Sequence, residues 1–256
     1  MFAFYFTSTL WKLSEKHGFF TSFYSNFTKK VQYKKELFTL QKYHRIMISI
    51  KFWELGFRII RGSLIMELLK QRILKDGIEI GTEVVKVDSF LNHQLDIGLF
   101  MALGKEIHRR FGHLGINKIL TIESSGIGIA AITAMYFDLV PVVFAKKTHP
   151  STMTEAYYGA EVKSFTKGTV SIARVSKNYL NANDKVLIID DFLAHGEAAA
   201  GLANLVEQAG GTVCGIAAII EKEFQGGSKK LRDAGYLVDS LAVITKVENG
   251  KIYFKD

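Results

Sequence analysis

The sequence predicts an α/β fold built on a mostly parallel, doubly wound sheet. From residue 66 onward, short apolar runs with the length of buried strands alternate with segments of helical periodicity. Glycines, carboxylates and lysines follow several of these runs directly. In doubly wound sheets, ligands bind in the crevice beyond the carboxyl ends of the strands. We therefore expect the functional residues of this chain to meet at that edge.

Residues 1–65 form a block whose composition differs from that of residues 66–256. The block contains eleven Lys and Arg against three Glu, a net charge of 11 − 3 = +8, whereas the rest of the chain contains 22 residues of each sign. It also holds ten phenylalanines, one alanine and no proline. No apolar run in it is long enough to cross a bilayer. All the excess positive charge therefore lies outside the predicted α/β domain, residues 66–256.

Three interpretations of this block stay open. A basic, aromatic arm would suit a nucleic acid or a membrane surface, and a small accessory domain is a second interpretation. The third is that residues 1–65 are not native coding sequence, because Phe, Lys, Ile and Tyr are residues of AT-rich codons. Arg61-Gly62-Ser63 can be encoded by a purine-rich string shaped like a ribosome-binding site, just upstream of Met66. We therefore expect Met66 to be the natural start.

Cysteine content points to a reducing compartment. The single cysteine, Cys214, excludes a disulfide framework and predicts a cytoplasmic location. Because Cys214 lies within an apolar run, we expect it to pack as a small hydrophobic residue.

The first elements of the domain are a helix, an extended segment and a polar loop. Apolar residues between Met66 and Gly77 have helical spacing, and the valines of residues 84–87 predict an extended segment. Residues 88–94 then collect polar side chains, which we interpret as a short loop suited to a flat polar ligand. An amphipathic helix follows over residues 97–114, with one apolar stripe.

Two strands with polar ends come next. Lys118 to Ile122 predicts a strand that leads through a loop, Glu123 to Gly126, into a helix rich in alanine, which is a geometry suited to an anion. Pro141 opens a second strand, which ends in Lys146-Lys147. We expect these two lysines to attract phosphate.

A surface loop and a β-hairpin are predicted before the central motif. Residues 148–160 lack core periodicity and predict a mobile loop, and residues 162–174 predict a hairpin that turns at Lys167-Gly168. Together they could act as a lid that excludes water.

The stretch from Val186 to Ala198 carries the strongest functional signal. Val186 to Ile189 predicts a buried strand, and Asp190 and Asp191 stand at its end. A small-residue turn then leads into a helix that we expect to close at Gly210-Gly211. Main-chain N–H groups at such a turn bind an anion, and neighbouring carboxylates suit the hydroxyls of a sugar. The stretch therefore predicts a site for a phosphorylated ribose.

The remaining segments predict further strands of the same sheet. Residues 212–220, 237–244 and 251–254 are apolar runs of strand length, and a short helix ends within residues 231–234.

The motif at residues 186–198 resembles the site that binds phosphoribosyl pyrophosphate (PRPP) in type I phosphoribosyltransferases. Four more segments resemble those of bacterial xanthine phosphoribosyltransferases in order and spacing: residues 86–94, 121–127, 141–147 and 220–222. The resemblance covers residues 66–256. It implies the type I phosphoribosyltransferase fold with a small hood and a flexible loop and hairpin. It also implies transfer of 5-phosphoribosyl from PRPP to N9 of xanthine, which yields xanthosine monophosphate (XMP) and pyrophosphate for purine salvage.

The resemblance also implies roles for individual residues. Asp190 and Asp191 would be the catalytic pair, holding the ribose hydroxyls and stabilising the cation that develops on the ring. The residues matching the PRPP site are Ala194, His195, Gly196, Glu197 and Ala198 for the 5′-phosphate and Ser124, Ser125, Gly126 and, more weakly, Lys146 for pyrophosphate. The residues matching the xanthine site are Val85, Asn92 and Lys222. Two of these depart from the family pattern, since His195 stands in place of Asn or Thr and Val85 in place of leucine.

The resemblance finally implies the remaining partners. Mg²⁺ would arrive with PRPP, without assigned side-chain ligands, and the protein would be a homodimer with no membrane or nucleic-acid partner. Two alternatives stay open: the same reaction on guanine or hypoxanthine, and a PRPP-sensing, DNA-binding purine regulator that uses the basic block.

Overall fold

The computed structural model describes residues 65–80, 84–148, 156–164 and 169–255. The interpretations of the basic block at residues 1–64 lie outside the described residues, as does the central part of the predicted loop at residues 149–155.

A six-stranded sheet forms the centre of the domain. Its strands are β3 (Lys118–Ile122), β4 (Val142–Ala145), β7 (Lys185–Leu193), β8 (Thr212–Lys222), β9 (Val238–Glu248) and β10 (Lys251–Phe254). They lie in the order β10-β9-β8-β7-β3-β4, and only β10 runs antiparallel to its neighbour. From β3 the chain moves outward to β4 and then returns to β7, from which it continues in the opposite direction. The topological switch point of the sheet therefore lies between β3 and β7.

Helices cover both faces of the sheet, as predicted. On one face lie α1 (the described part covers residues 65–76), α2 (Ile97–Phe111) and α3 (Gly126–Ala134). On the other lie α4 (Glu197–Gln208), α5 (Gly227–Asp233) and a hairpin of β5 (Tyr157–Ser164) and β6 (Thr169–Ser176). The sequence prediction of a doubly wound α/β fold is confirmed.

Strand β7 explains why its sequence is a continuous apolar run. Leu187 and Ile189 belong to the core beneath α2 and α3, whereas Val186 and Ile188 belong to the core beneath α4. Both faces of a central parallel strand are buried, so its sequence does not alternate between apolar and polar residues. The strand does not end at the carboxylates, as the sequence predicted, because its ladder with β8 continues to Leu193.

Other boundaries also differ from the sequence predictions. Strand β1 (Ile78–Ile80) pairs with β2 (Val84–Lys86). The predicted polar loop after β2 contains a turn of π-helix, Asp88–Asn92, because Phe90 and Leu91 pack into the core. Helix α2 ends at Phe111 and a 3₁₀ turn follows, Gly112–Leu114.

The hairpin is longer than predicted because β5 already begins at Tyr157. Ala160 and Val162 of β5 are buried in the core under α4. Within the described ranges, no helix is long and apolar enough to span a membrane.

Candidate active site

Asp190 and Asp191 lie next to the switch point, in the last part of β7. Their exposed fractions are 7% and 8%, and the Asp191 N–H donates to Asp190 Oδ1 at 3.0 Å. Burial, followed by the adjacent Asp191 carboxylate, holds the pKa of Asp190 well above its ordinary value, while the Lys147 ammonium acts in the opposite direction. The fold thus keeps two acidic side chains together in a buried position.

The turn after β7 has the geometry of an anion cradle. Gly196 adopts φ 80° and ψ 2°, a left-handed conformation that a glycine adopts without strain. The first bond of α4 runs from Ala200 N–H to the Gly196 carbonyl oxygen, at 2.8 Å. The N–H groups of Glu197, Ala198 and Ala199 therefore have no acceptor within the helix, and they add to the positive end of its dipole. The residues that the sequence predicted for a phosphate, 194–198, form one loop at the helix start.

Glu197 is the one acidic side chain of this loop. Its Oε1 lies 2.7 Å from Lys230 Nζ of α5. The carboxylate is thereby neutralised by α5, while the Glu197 N–H belongs to the start of α4.

A glycine that the sequence analysis did not single out supports the loop from behind. Gly227 N–H donates to the Ala194 carbonyl oxygen at 3.0 Å. A Cβ on Gly227 would overlap that oxygen and would lie 2.5 Å from the Gly196 nitrogen. The only sequence signal was the Gly226-Gly227 pair itself, since its contact with residue 194 spans more than thirty positions.

The loop at the end of β3 reaches the same acidic pair. The Glu123–Ser124 peptide is cis, Ser124 is exposed, and its carbonyl accepts from Ile127 N–H at 3.2 Å. A Cβ on Gly126 would overlap Thr121 Oγ1 and lie 3.5 Å from Asp190 Oδ1. The predicted pyrophosphate residues Ser124, Ser125 and Gly126 therefore border the acidic pair, because β3 and β7 are neighbours.

The two lysines at the end of β4 have different surroundings. Lys146 exchanges two main-chain hydrogen bonds of 2.9 Å with Arg174 of β6, which attaches the hairpin to the sheet. Lys147 N–H donates to Glu123 Oε1 at 2.6 Å, and its ammonium acts on Asp190. The sequence analysis expected both lysines to attract phosphate, but the resemblance matched only Lys146 to the pyrophosphate site; the structure adds the electrostatic interaction of Lys147 with Asp190. Both lysines directly follow β4, so the sequence already indicated that they lie at the same edge of the sheet.

The residues predicted to bind the purine come from two places. Lys222 ends β8, and its Nζ lies 5.4 Å from the centre of the Phe192 ring, next to the acidic pair on β7. Val85 is buried in β2, and Asn92 is exposed at the end of the π-helical turn. The sequence analysis did not single out Phe192, because no pattern separated it from the core residues of β7.

Comparisons with known proteins agree with this arrangement. The chain is 59% identical to the xanthine phosphoribosyltransferase of Ruminiclostridium cellulolyticum over 191 residues, which are 75% of this chain and 100% of that protein. It is 56% identical to the xanthine phosphoribosyltransferase of Clostridium novyi, with the same coverage. No family model matches the chain.

Solved structures with a similar fold include adenine phosphoribosyltransferases. That of Thermoanaerobacter pseudethanolicus has a TM-score of 0.59 at 24% identity, covering 70% of this chain and 98% of its own. That of Rhodothermus marinus has a TM-score of 0.58 at 25% identity, covering 71% and 99%. By its fold and by its identity to full-length relatives, the chain belongs to the xanthine phosphoribosyltransferase family.

Proposed function

We propose that this protein transfers the 5-phosphoribosyl group of PRPP to N9 of xanthine, which yields XMP and pyrophosphate. The observation that carries the proposal is the meeting of two anion-binding loops and a buried acidic pair at the switch point. Such a site matches a substrate with a phosphate at one end of a ribose and a pyrophosphate at the other. The 59% identical relative supports xanthine as the base.

The loop of residues 194–198 holds the 5′-phosphate, and its ribose lies over Asp190 and Asp191. Positive charge develops on the ribose ring as the bond to pyrophosphate breaks. Burial favours a protonated Asp190 in the free site, and the developing cation favours its ionised form. Strand β7 fixes the two aspartates before substrate arrives. The site therefore needs little structural reorganisation to stabilise the charge on the ribose ring.

Pyrophosphate leaves toward the loop of Ser124, Ser125 and Gly126, with Lys146 and Lys147 beside it. Cationic side chains at this end of the substrate stabilise the charge of the leaving group. Mg²⁺ would arrive with PRPP, and this proposal assigns it no protein side-chain ligand. When bound, Mg²⁺ would neutralise pyrophosphate oxygens.

Xanthine lies between Lys222 and the unit that carries Val85 and Asn92. The Lys222 ammonium donates to a ring carbonyl and offsets the partial anionic character of xanthine. The nearby Phe192 ring supplies an apolar surface for the flat base.

Parallel assays with four purine bases test the identity of the substrate. The full chain is incubated with PRPP, Mg²⁺ and one of xanthine, guanine, hypoxanthine or adenine, and nucleotide formation is followed by chromatography. We expect the highest kcat/KM for xanthine. Equal values for xanthine and hypoxanthine would overturn the assignment of the base, and the absence of any nucleotide would overturn the reaction.

The start at Met66, the homodimer and the cytoplasmic location belong to the same proposal. The full-length relative matches over 191 residues, the number left when residues 1–65 are removed, 256 − 65 = 191. Mass spectrometry of the protein from its native cells tests the start, and abundant peptides from residues 1–60 would contradict it. Light scattering of the purified protein tests the dimer.

A further inference from the structure

A buried acidic side chain outside the catalytic pair lies beside the phosphate loop. Glu221 precedes Lys222 in β8 and is 1% exposed. In the parallel ladder it stands opposite Leu193, the last residue of β7 before the loop of residues 194–198. A buried carboxylate is costly unless hydrogen bonds compensate it.

The partner of Glu221 is on α5. Ser228, which is 3% exposed, donates through Oγ to Glu221 Oε1. Arg232 Nη2, one turn further along α5, lies 4.0 Å from Glu221 Oε2. Glu221 therefore fixes the first turn of α5 against the end of β8.

The same first turn touches the phosphate loop. Gly227 precedes Ser228 and donates its N–H to the Ala194 carbonyl oxygen. Gly227 packs so closely that a Cβ on it would overlap the Ala194 oxygen, and a Cβ on Gly196 would lie 3.1 Å from the Gly227 oxygen. A shift of α5 would therefore displace Ala194 and Gly196 directly.

We propose that Glu221 and Ser228 are positioning residues for the 5′-phosphate of PRPP. They hold Gly227 against Ala194, so the N–H groups at the start of α4 keep one orientation before the ligand arrives. A preformed loop avoids the entropy of ordering on binding. The proposal rests on the assignment of the 5′-phosphate to this loop.

Two ligands that share the substrate's parts separate this role from general stability. Ribose 5-phosphate reports on the loop of residues 194–198, and pyrophosphate with Mg²⁺ reports on the loop of residues 124–126. Both affinities are measured by calorimetry on the full chain. The variants are Ser228→Ala, Ser228→Thr and, as a matched control on the same helix, Lys229→Ala, whose ammonium pairs with Asp233.

Ser228→Ala should weaken ribose 5-phosphate binding about tenfold, the effect of one lost hydrogen bond to a charged group. Pyrophosphate affinity should not change. Ser228→Thr keeps the hydroxyl and should restore ribose 5-phosphate affinity, and Lys229→Ala should bind both ligands as the wild type does. Unchanged ribose 5-phosphate affinity in Ser228→Ala, or an equal loss of both ligands, would overturn the positioning role.

A double-mutant cycle tests the coupling of the two residues. Glu221→Leu removes the acceptor oxygens and keeps a side chain of similar volume, which limits the risk of misfolding. Because both residues act through one hydrogen bond, Glu221→Leu with Ser228→Ala should cost no more ribose 5-phosphate affinity than the more harmful single change. Additive losses of ribose 5-phosphate affinity would contradict the proposal.

One further variant separates failure of this inference from failure of the assigned site. Gly196→Ala strains a left-handed position within the loop itself. If Gly196→Ala loses ribose 5-phosphate while Ser228→Ala keeps it, the loop binds the phosphate and the positioning role is wrong. If Gly196→Ala also binds as the wild type does, the assignment of the 5′-phosphate to this loop is wrong, and the positioning role with it.

Discussion

Two buried acidic sites in this protein have opposite surroundings. Glu106 of α2 is 2% exposed, and its carboxylate accepts hydrogen bonds from Arg109 at 2.7 and 2.8 Å and from Arg110 at 2.9 Å. Burial acts to raise the pKa of Glu106, but the hydrogen bonds and charges of the two arginines lower it overall. Asp190 has instead a second carboxylate beside it, and its pKa is raised. Burial alone therefore does not distinguish the two sites; the sign of the neighbouring charge does.

The difference matches two uses of an acidic group. Arg110 also reaches Asp239 of β9 at 2.7 Å and the Ser240 carbonyl oxygen, so Glu106 belongs to a network that ties α2 to the sheet. The charges of that network are balanced in the free protein. The acidic pair at the switch point lies where the proposed transition state would place a cationic species.

The largest expected effect comes from removing the charges of the pair. Asp190→Asn with Asp191→Asn should lower kcat by at least about 10²-fold, because the developing cation loses its stabilisation, and it should leave the fold intact. Steady-state kinetics with circular dichroism measure both quantities. The matched control is Asp184→Asn, a buried aspartate just before β7 that pairs with Lys118 at 2.7 Å. The Asp184→Asn control should lose stability and keep the wild-type kcat. Near-normal turnover in the Asp190→Asn, Asp191→Asn double variant would refute the role of the pair.

Glu106→Gln should show the opposite pattern. It removes the carboxylate that Arg109 and Arg110 share, whereas Arg110 keeps Asp239 as an anionic partner. We therefore expect the free energy of unfolding to fall by about 2 kcal/mol, below the range for a fully buried pair because Arg109 is partly exposed. Urea denaturation measures this loss. The kcat of the folded fraction should stay at the wild-type value; a kcat loss as large as that of the acidic pair would mean that the two sites are not functionally distinct.

The pH dependence of stability sharpens the comparison. A raised folded pKa means that folding favours the protonated Asp190, so its ionisation destabilises the protein as pH rises above the unfolded value of about 3.9. Asp190→Asn should therefore raise Tm at pH 7, and this gain should shrink toward pH 4.

The corresponding change at Glu106 has the opposite sign. Its lowered pKa contributes stability that is present above the unfolded value of about 4.3 and is lost as pH falls through the folded value. Glu106→Gln should therefore lower Tm at neutral pH and approach the wild type in acid. Thermal unfolding from pH 3 to pH 8 measures both variants, and a Tm change of the same sign in both would show that the contrast between the sites is wrong.

The smallest expected effect is at an acidic group nearer the surface. Tyr236 donates its hydroxyl to Glu207 Oε1, and partial burial together with Glu207 raises the pKa of Tyr236 to about 12. Tyr236→Phe should lower the free energy of unfolding by about 0.5 kcal/mol, because water replaces the partner at an exposed carboxylate. Urea denaturation at pH 8 measures this loss. A loss of unfolding free energy as large as that of Glu106→Gln would mean that burial does not determine how much an acidic group contributes to stability.

The sequence was sufficient for those features that depend on local patterns. The strand Lys118–Ile122, the strand after Pro141 and the turn at Gly196 lie where periodicity and small residues placed them. Since these segments also position the acidic pair and both anion loops, most of the candidate site could be predicted before its geometry was known.

Features that depend on contacts between distant segments could not be predicted. The extension of β7 to Leu193 depends on its partner β8, and the π-helical turn depends on a core that accepts Phe90 and Leu91. The hydrogen bonds from the arginines to Glu106, and the hydrogen bond from Gly227 to Ala194, likewise depend on how the elements pack in the fold. A sequence pattern predicts whether a segment is a helix or a strand, but it does not predict which other segment packs against it or where that contact ends.

The close packing at Gly126 has a genetic consequence. Each single-base change that replaces a glycine adds a Cβ, and here that atom would overlap Thr121 Oγ1. Thr121 is fully buried, so its hydroxyl has little free space into which to move. Codon 126 is therefore expected to accumulate only silent substitutions in any lineage that depends on this enzyme.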